Sequence, residues 1–201
     1  YVYKTNDYGQ TWTKISDGVP KSVHSFAHVI KEDPKKPGLL YLGVDNGIFI
    51  TFDDGKHWMP LRSNLPPAPV YWLEIQEHFD DLVVATYGRG YYILDHVGVL
   101  RNFVDQEREK DIALINPRPA YRFNRQEGIK TDGPSPNTGS NPTYGADINY
   151  FLKDTLKKAP LIEILDQDKK IIKVLSTRNK KGINRVHWDL RYEPTDKPRL
   201  M

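Results

Sequence analysis

The chain has 201 residues, enough for one or two domains. Its 29 basic residues are balanced by 26 acidic ones, for a net charge of +3, and no stretch gathers the basic density of a nucleic-acid footprint. There is no cysteine, which removes disulfides, thiol catalysis and thiolate metal sites together. Mean hydropathy is −0.62, and no apolar run approaches the roughly 20 residues of a membrane-spanning helix.

The first residues, YVYKT, read as the middle of a strand, with no signal peptide. An octet follows, TNDYGQTW at residues 5–12, and recurs as TFDDGKHW at residues 51–58. The flanks recur too: Val2-Tyr3-Lys4 precedes one copy and Ile48-Phe49-Ile50 the other. Between the octets the chain predicts strands over Ser25–Ile30, Leu39–Val44 and Ile48–Phe52, and His57–Leu61 follows the second octet. Together these segments are rich in Val, Ile, Tyr, Phe and Trp, and Gly, Pro, Asn or Asp punctuates them, as at Asp33-Pro34 and Asp45-Asn46-Gly47. Val70–Gln76, Asp81–Thr86 and Tyr91–Leu94 repeat the series. Gly90-Tyr91-Tyr92-Ile93 is a third, worn copy, with His96 where the octet has Asp53. A period of about 40–45 residues in short strands is the size of a four-stranded propeller blade.

The period stops after Phe103. A charged connector is expected over residues 105–111, and a long loop over Gly128–Gly145. Further strands are expected at Ile112–Ile115, Ala120–Phe123, Asp147–Leu152, Leu161–Leu165, Ile171–Leu175 and Asn184–Leu190, with Asp166–Lys169 as a hairpin turn. Short strands at this spacing suggest a β-sandwich of the Ig kind. No helix is expected.

Each octet position has a structural task. Asp7 and Asp53 can accept hydrogen bonds from the backbone N–H groups of the turn, as short Asp side chains do. Gly9 and Gly55 supply a positive φ. Thr5 and Thr51 open the turn, and Trp12 and Trp58 can pack back over the hairpin. A catalytic Asp is used once, whereas a fold-building Asp recurs, so these eight residues are assigned to structure.

On those residues the octet resembles the Asp box of bacterial neuraminidase-repeat (BNR) and sortilin-type propellers. DLVVATYGRGYYILD at 81–95 is similar to the last blade of secreted bacterial BNR/sortilin-like proteins that are labelled glycosyl hydrolases on fold analogy. NPTYGADINYFL at 141–152 and GINRVHWDLRYEP at 182–194 resemble the Ig-like module that follows it there, which is like that of flagellar hook-capping proteins. The resemblance implies an all-β chain: C-terminal propeller blades over 1–104, a connector over 105–111, and an incomplete Ig-like sandwich over 112–201. It also implies export to the periplasm or surface of a Bacteroidetes-like bacterium. Propellers need roughly 4–8 blades, so the chain reads as part of a larger protein.

Loops on the face opposite the octets are where propellers place ligands. They carry the candidate ligand-binding residues His24, Asp45, Asn46, Tyr71, Trp72, Tyr87 and Arg89. Arg89 can hold a carboxylate or sugar oxygen, or instead brace a neighbouring blade; Trp72 and Tyr87 can stack on a sugar ring, or pack between sheets. Glycoside hydrolysis wants two carboxyl groups about 5–10 Å apart, and that face offers Asp45 and little else. A sialidase would need an arginine cluster with a Tyr nucleophile and a Glu base, which is absent. The six His show no metal spacing, and Asp166 and Asp168 lack the Gly and bidentate Glu of a calcium loop. No catalytic residue, metal or cofactor is assigned. The expected function is an exported module that binds a protein, peptide or glycan, or serves as a scaffold in a surface complex with partner subunits. The alternative is a glycoside hydrolase whose carboxylates lie in blades outside this chain.

Overall fold

Residues 1–103, 109–122 and 143–193 are described by the computed structural model. Among them the protein is nearly all strand and turn, its sheets are antiparallel, and none closes on itself. The chain divides into two compact units, Tyr1–Arg101 and Asn102–Met201.

In the first unit, β1 (Tyr3–Lys4) pairs β2 (Thr13–Lys14) around the first octet. A four-stranded meander follows: β3 (Ala27–Glu32), β4 (Leu40–Val44), β5 (Gly47–Thr51) and β6 (Met59–Pro60), with the second octet between β5 and β6. A three-stranded meander comes next: β7 (Val70–Gln76), β8 (Asp81–Thr86) and β9 (Tyr91–Leu94).

All of β4 is buried, because its alternating side chains serve two cores. Leu40, Leu42 and Val44 join Trp58, with Val2 and Val19 of the first hairpin region packed against them. Leu39 and Tyr41 join Ile48 and Ile50 on the other side, against Val70, Leu73, Ile75, Leu82 and Val84. Each Leu or Ile so buried contributes ~1.5–3 kcal/mol. The meander β3–β6 is therefore held between two layers.

The two meanders repeat residue for residue. Val29 pairs Gly43, which pairs Ile48; 42 or 43 positions on, Trp72 pairs Ala85, which pairs Tyr91. Likewise Lys31, Tyr41 and Ile50 form a row matched by Glu74, Val83 and Ile93. The match extends to a bulge in the first strand of each.

The third copy is worn in the way its sequence suggests: among the described residues its sheet has three strands and no octet turn follows Leu94. His96 is buried with φ 59, Val97 enters the core, and the chain turns into a short helix, α1 (Gly98–Asn102). That corrects the expectation of no helix: five residues are too few to carry a 3.6-residue pattern.

The second unit holds a three-stranded sheet with order β10 (Ile112–Ile115), β11 (Ala146–Leu152), β14 (Gly182–Trp188), and a hairpin of β12 (Leu161–Leu165) and β13 (Ile171–Ser176). Ala113, Ile115, Ile148, Tyr150, Leu152 and Leu175 are buried. The Tyr150 hydroxyl donates to Arg178 O at 2.7 Å and accepts from Arg178 N at 2.8 Å, which pins the segment after β13. The hairpin turn falls at Asp166, whose Oδ1 accepts from the N–H groups of Asp168 and Lys170 at 2.9 Å each. The expected strand Ala120–Phe123 is not one: residues 120–122 run without ladder partners, and Phe123 lies outside the described residues. Residue 104, residues 105–108 of the expected connector and 128–142 of the expected loop also lie outside them.

Candidate functional site

The octet turns are closed by their own side chains. Thr5 Oγ1 donates to Asp7 Oδ1 at 2.7 Å and accepts from Gly9 N at 2.8 Å; Asp7 then accepts from Thr11 N at 2.8 Å and from Thr11 Oγ1 at 2.5 Å. In the second copy Thr51 Oγ1 stands 2.7 Å from Asp53 Oδ1 and 3.1 Å from Gly55 N, and Asp53 takes His57 N at 2.9 Å and meets His57 Nδ1 at 2.7 Å. The position before each Gly is also left-handed, Tyr8 at φ 56 and Asp54 at φ 61. The Trp residues differ. Trp58 is buried and its indole N–H reaches Ile15 O at 2.6 Å; Trp12 stays 61% exposed, its indole N–H donating to Gly9 O of its own turn at 3.1 Å.

Hydrogen bonds from Thr11, then Thr5, hold the Asp7 carboxyl at about 2, below its ordinary 3.8. Burial opposes the same shift at Asp53, but bonds from Thr51 and His57 outweigh it and bring that carboxyl to about 2 as well. A carboxyl depressed on folding stabilises the protein above its ordinary value and loses that contribution as pH falls through the folded value. The urea midpoint should therefore fall between pH 3.8 and about 2, and Asp53→Asn should flatten that fall. Parallel profiles for the two proteins would count against this role.

At the opposite ends of the strands lies a row of side chains. In β3 the register passes from Ala27–Val44 to Val29–Gly43, and in β7 from Val70–Thr86 to Trp72–Ala85. Each step leaves one extra residue, His28 and Tyr71, and a bulge re-aims its side chain. The His28 ring stacks on Tyr71 with centroids 4.2 Å apart and planes at 17°. Tyr71 meets Tyr87 at 5.7 Å, and Phe26 lies 6.3 Å from His28. His28 Nε2 is 2.6 Å from Asp45 Oδ1. Asp45 and Tyr87 directly follow β4 and β8, so they hold one position of the repeat. The row Asp45–His28–Tyr71–Tyr87 thus couples equivalent residues of neighbouring sheets. Tyr71 and Tyr87 are exposed, whereas His28 and Asp45 are half-buried. Exposed ring faces attract flat apolar groups and other rings, and a carboxylate can accept hydroxyl or N–H donors.

Three of the expected ligand residues, Asp45, Tyr71 and Tyr87, therefore come together, joined by His28. The other four lie elsewhere. His24 and Asn46 line a cavity of about 400 Å³ with Pro20, Leu61, Leu65 and Pro66. Trp72 stands on the sheet face beside Ala85. Arg89 sits at the exposed tip of the β8–β9 loop, between glycines at φ 77 and 74, and makes no ion pair among the described residues. Thr86 closes that loop on Gly90 O, through its N–H at 3.1 Å and its hydroxyl at 2.7 Å.

The far strand ends carry an ion cluster. Arg101 Nε spans both oxygens of Asp33 at 2.8 and 2.9 Å, and its Nη1 is 2.5 Å from Asp80, which Lys35 also holds at 2.7 Å. Burial opposes ionisation of Asp80, but the Arg101 and Lys35 bonds keep its carboxyl below the ordinary value. This joins the β3–β4 and β7–β8 turns. Among the described residues no three His, Asp or Glu converge as metal ligands, and no helix is long and apolar enough to cross a membrane.

No family model, curated protein or solved structure matches the chain.

Proposed function

We propose that the first unit is a run of Asp-box blades of a BNR/sortilin-like β-propeller, that the second is an incomplete Ig-like sandwich, and that the chain acts outside the cytoplasm as a binding or scaffold module. The blade reading is supported by two meanders that repeat in register down to the bulge. The ligand face is that of Asp45, His28, Tyr71 and Tyr87, and the ligand is a protein segment, a peptide or a glycan, bound over the rings. One observation carries this: a repeated bulge spends ladder pairing to bring His28 and Tyr71 into ring contact at the sheet rim, beside a carboxylate. A solvent-exposed aromatic row contributes little to the core and suits recognition. No carboxylate partner for Asp45 lies in the row, so nothing there favours the hydrolase.

The intact protein is screened against a random-peptide phage library and an array of neutral glycans. Each aromatic contact is worth ~0.5–1.5 kcal/mol, so a Tyr71→Ala/Tyr87→Ala double variant should weaken any selected ligand by about tenfold. Unchanged affinity in the folded double variant would move the ligand site elsewhere.

A further inference from the structure

The cavity of about 400 Å³ that holds His24 and Asn46 is formed within the first unit, by the segment before β3, the β4–β5 turn and the segment after β6. Its walls are fixed. Pro20, Pro60, Pro66 and Pro67 lie in them, and a proline ring locks φ. Leu61 N donates to Ile48 O at 2.9 Å, which ties the segment after β6 to β5. The turn before β3 closes on itself: the Ser22 and Ser25 hydroxyls are 3.0 Å apart, and His24 N donates to Ser22 Oγ at 3.2 Å. The apolar part of the lining is anchored in the core, since Ile48 belongs to it and Leu61 and Leu65 pack against it.

The polar part is one-sided. Its side chains are those of Arg62, His24, Asn46, Ser22, Ser25 and Ser63, with no Asp, Glu or Lys. Hydroxyl and amide groups can donate or accept, but a guanidinium only donates and is always charged. The Arg62 guanidinium, the His24 ring and the Asn46 side-chain amide make no hydrogen bond or ion pair among the described residues. Asp45, next to Asn46, is engaged by His28 at 2.6 Å and is not in the lining. The cavity thus carries one fixed positive charge and no anion to balance it.

We propose that this cavity binds a small organic monocarboxylate, its acid group on Arg62 and its apolar body against Ile48, Leu61 and Leu65. The size fits, since small-molecule clefts run to about 300–1,000 Å³. The charge fits a monoanion. An arginine fork takes both oxygens of one carboxylate, whereas a phosphate dianion would leave a charge that no fixed cation faces. Tyr71, Tyr87 and His28 do not line the cavity, so this site is separate from the aromatic row and either can fail alone.

Calorimetric titration of the full chain tests this, with phenylpropanoate, hexanoate and benzoate, the neutral amide of each, and inorganic phosphate. At least one acid should bind saturably in the millimolar range or below, and its amide about tenfold more weakly. Arg62→Gln should weaken the acid by about the same factor and leave the amide unchanged; Arg62→Lys should recover part of the loss. In a backbone-resolved NMR spectrum the acid should shift His24 and Asn46, and a Tyr71→Ala/Tyr87→Ala protein should show the same shifts. Arg62 is exposed, and circular dichroism of its variants separates lost binding from lost fold. No saturable binding by any of the acids would overturn the proposal. So would equal affinity for acid and amide, phosphate bound as tightly as the acids, or a folded Arg62→Gln protein that binds as the wild type does.

Discussion

Replacing Arg101 with alanine should lower the stability of the first unit by about 3–5 kcal/mol, the range for removing one partner of a buried ion pair. The Arg101 side chain is 9% exposed and that of Asp33 is fully buried. With the guanidinium gone, Asp33 keeps only the Lys35 N–H at 2.9 Å among its described side-chain bonds. The two turns that Arg101 joins, before β4 and before β8, also lose their common anchor. Lysine at 101 should recover little of this, since a point ammonium cannot span both Asp33 oxygens and Asp80 in one fork. The measurement is the urea midpoint by tryptophan fluorescence, for which Trp58, buried at 4%, reports on the first unit. A loss below about 1 kcal/mol would mean the cluster is no better than a surface pair.

Arg101 also shows where sequence reasoning stops. The strands are legible because Leu-Tyr-Leu-Gly-Val and Gly-Ile-Phe-Ile-Thr stand between turn residues, and a run with such borders has few other folds open to it. The octet is legible because Thr, Asp and Gly each have a local partner within four positions. Arg101 and Asp33 are 68 positions apart, and nothing local marks either as a buried ion. Residues 120–122 misled for the opposite reason: Ala and Tyr at the start of the expected strand suggest one, but no neighbouring strand among the described residues accepts them.

The row is an intermediate case. Asp45, Tyr71 and Tyr87 can be picked from loop position and residue type. His28 cannot, because a regular strand would point it to one sheet face, and only the extra residue of the bulge turns it to Tyr71. A signal was present in the 43-position step from His28 to Tyr71, which is the step that separates Gly47 from Gly90. Reading it required knowing that the strand register slips at both places. Trp72 illustrates the converse, since its neighbour Tyr71 belongs to the row while Trp72 itself belongs to the sheet face.

The same repeat sets a test of how the sheets touch. Gly43→Ala should destabilise the first unit by about 1–3 kcal/mol, the cost of overpacking a core. A Cβ there would stand 2.7 Å from Val29 Cγ1, 2.7 Å from Val70 O and 2.8 Å from Val70 Cγ1. One of those atoms is backbone, so a rotamer change cannot relieve all three contacts, and β7 would have to move off β4. Backbone conformation is not the obstacle, because Gly43 lies outside the positive-φ region. Ala85 occupies the equivalent register position, and its Cβ is tolerated because no other sheet of the first unit is packed over it among the described residues. Ala85→Gly should therefore cost only the roughly 0.5–1 kcal/mol of added backbone freedom. Unequal losses from the two reciprocal substitutions, read as urea midpoints, would show that β4 makes room for the backbone of β7. Equal losses would mean that the close approach at Gly43 is not what holds the two sheets together.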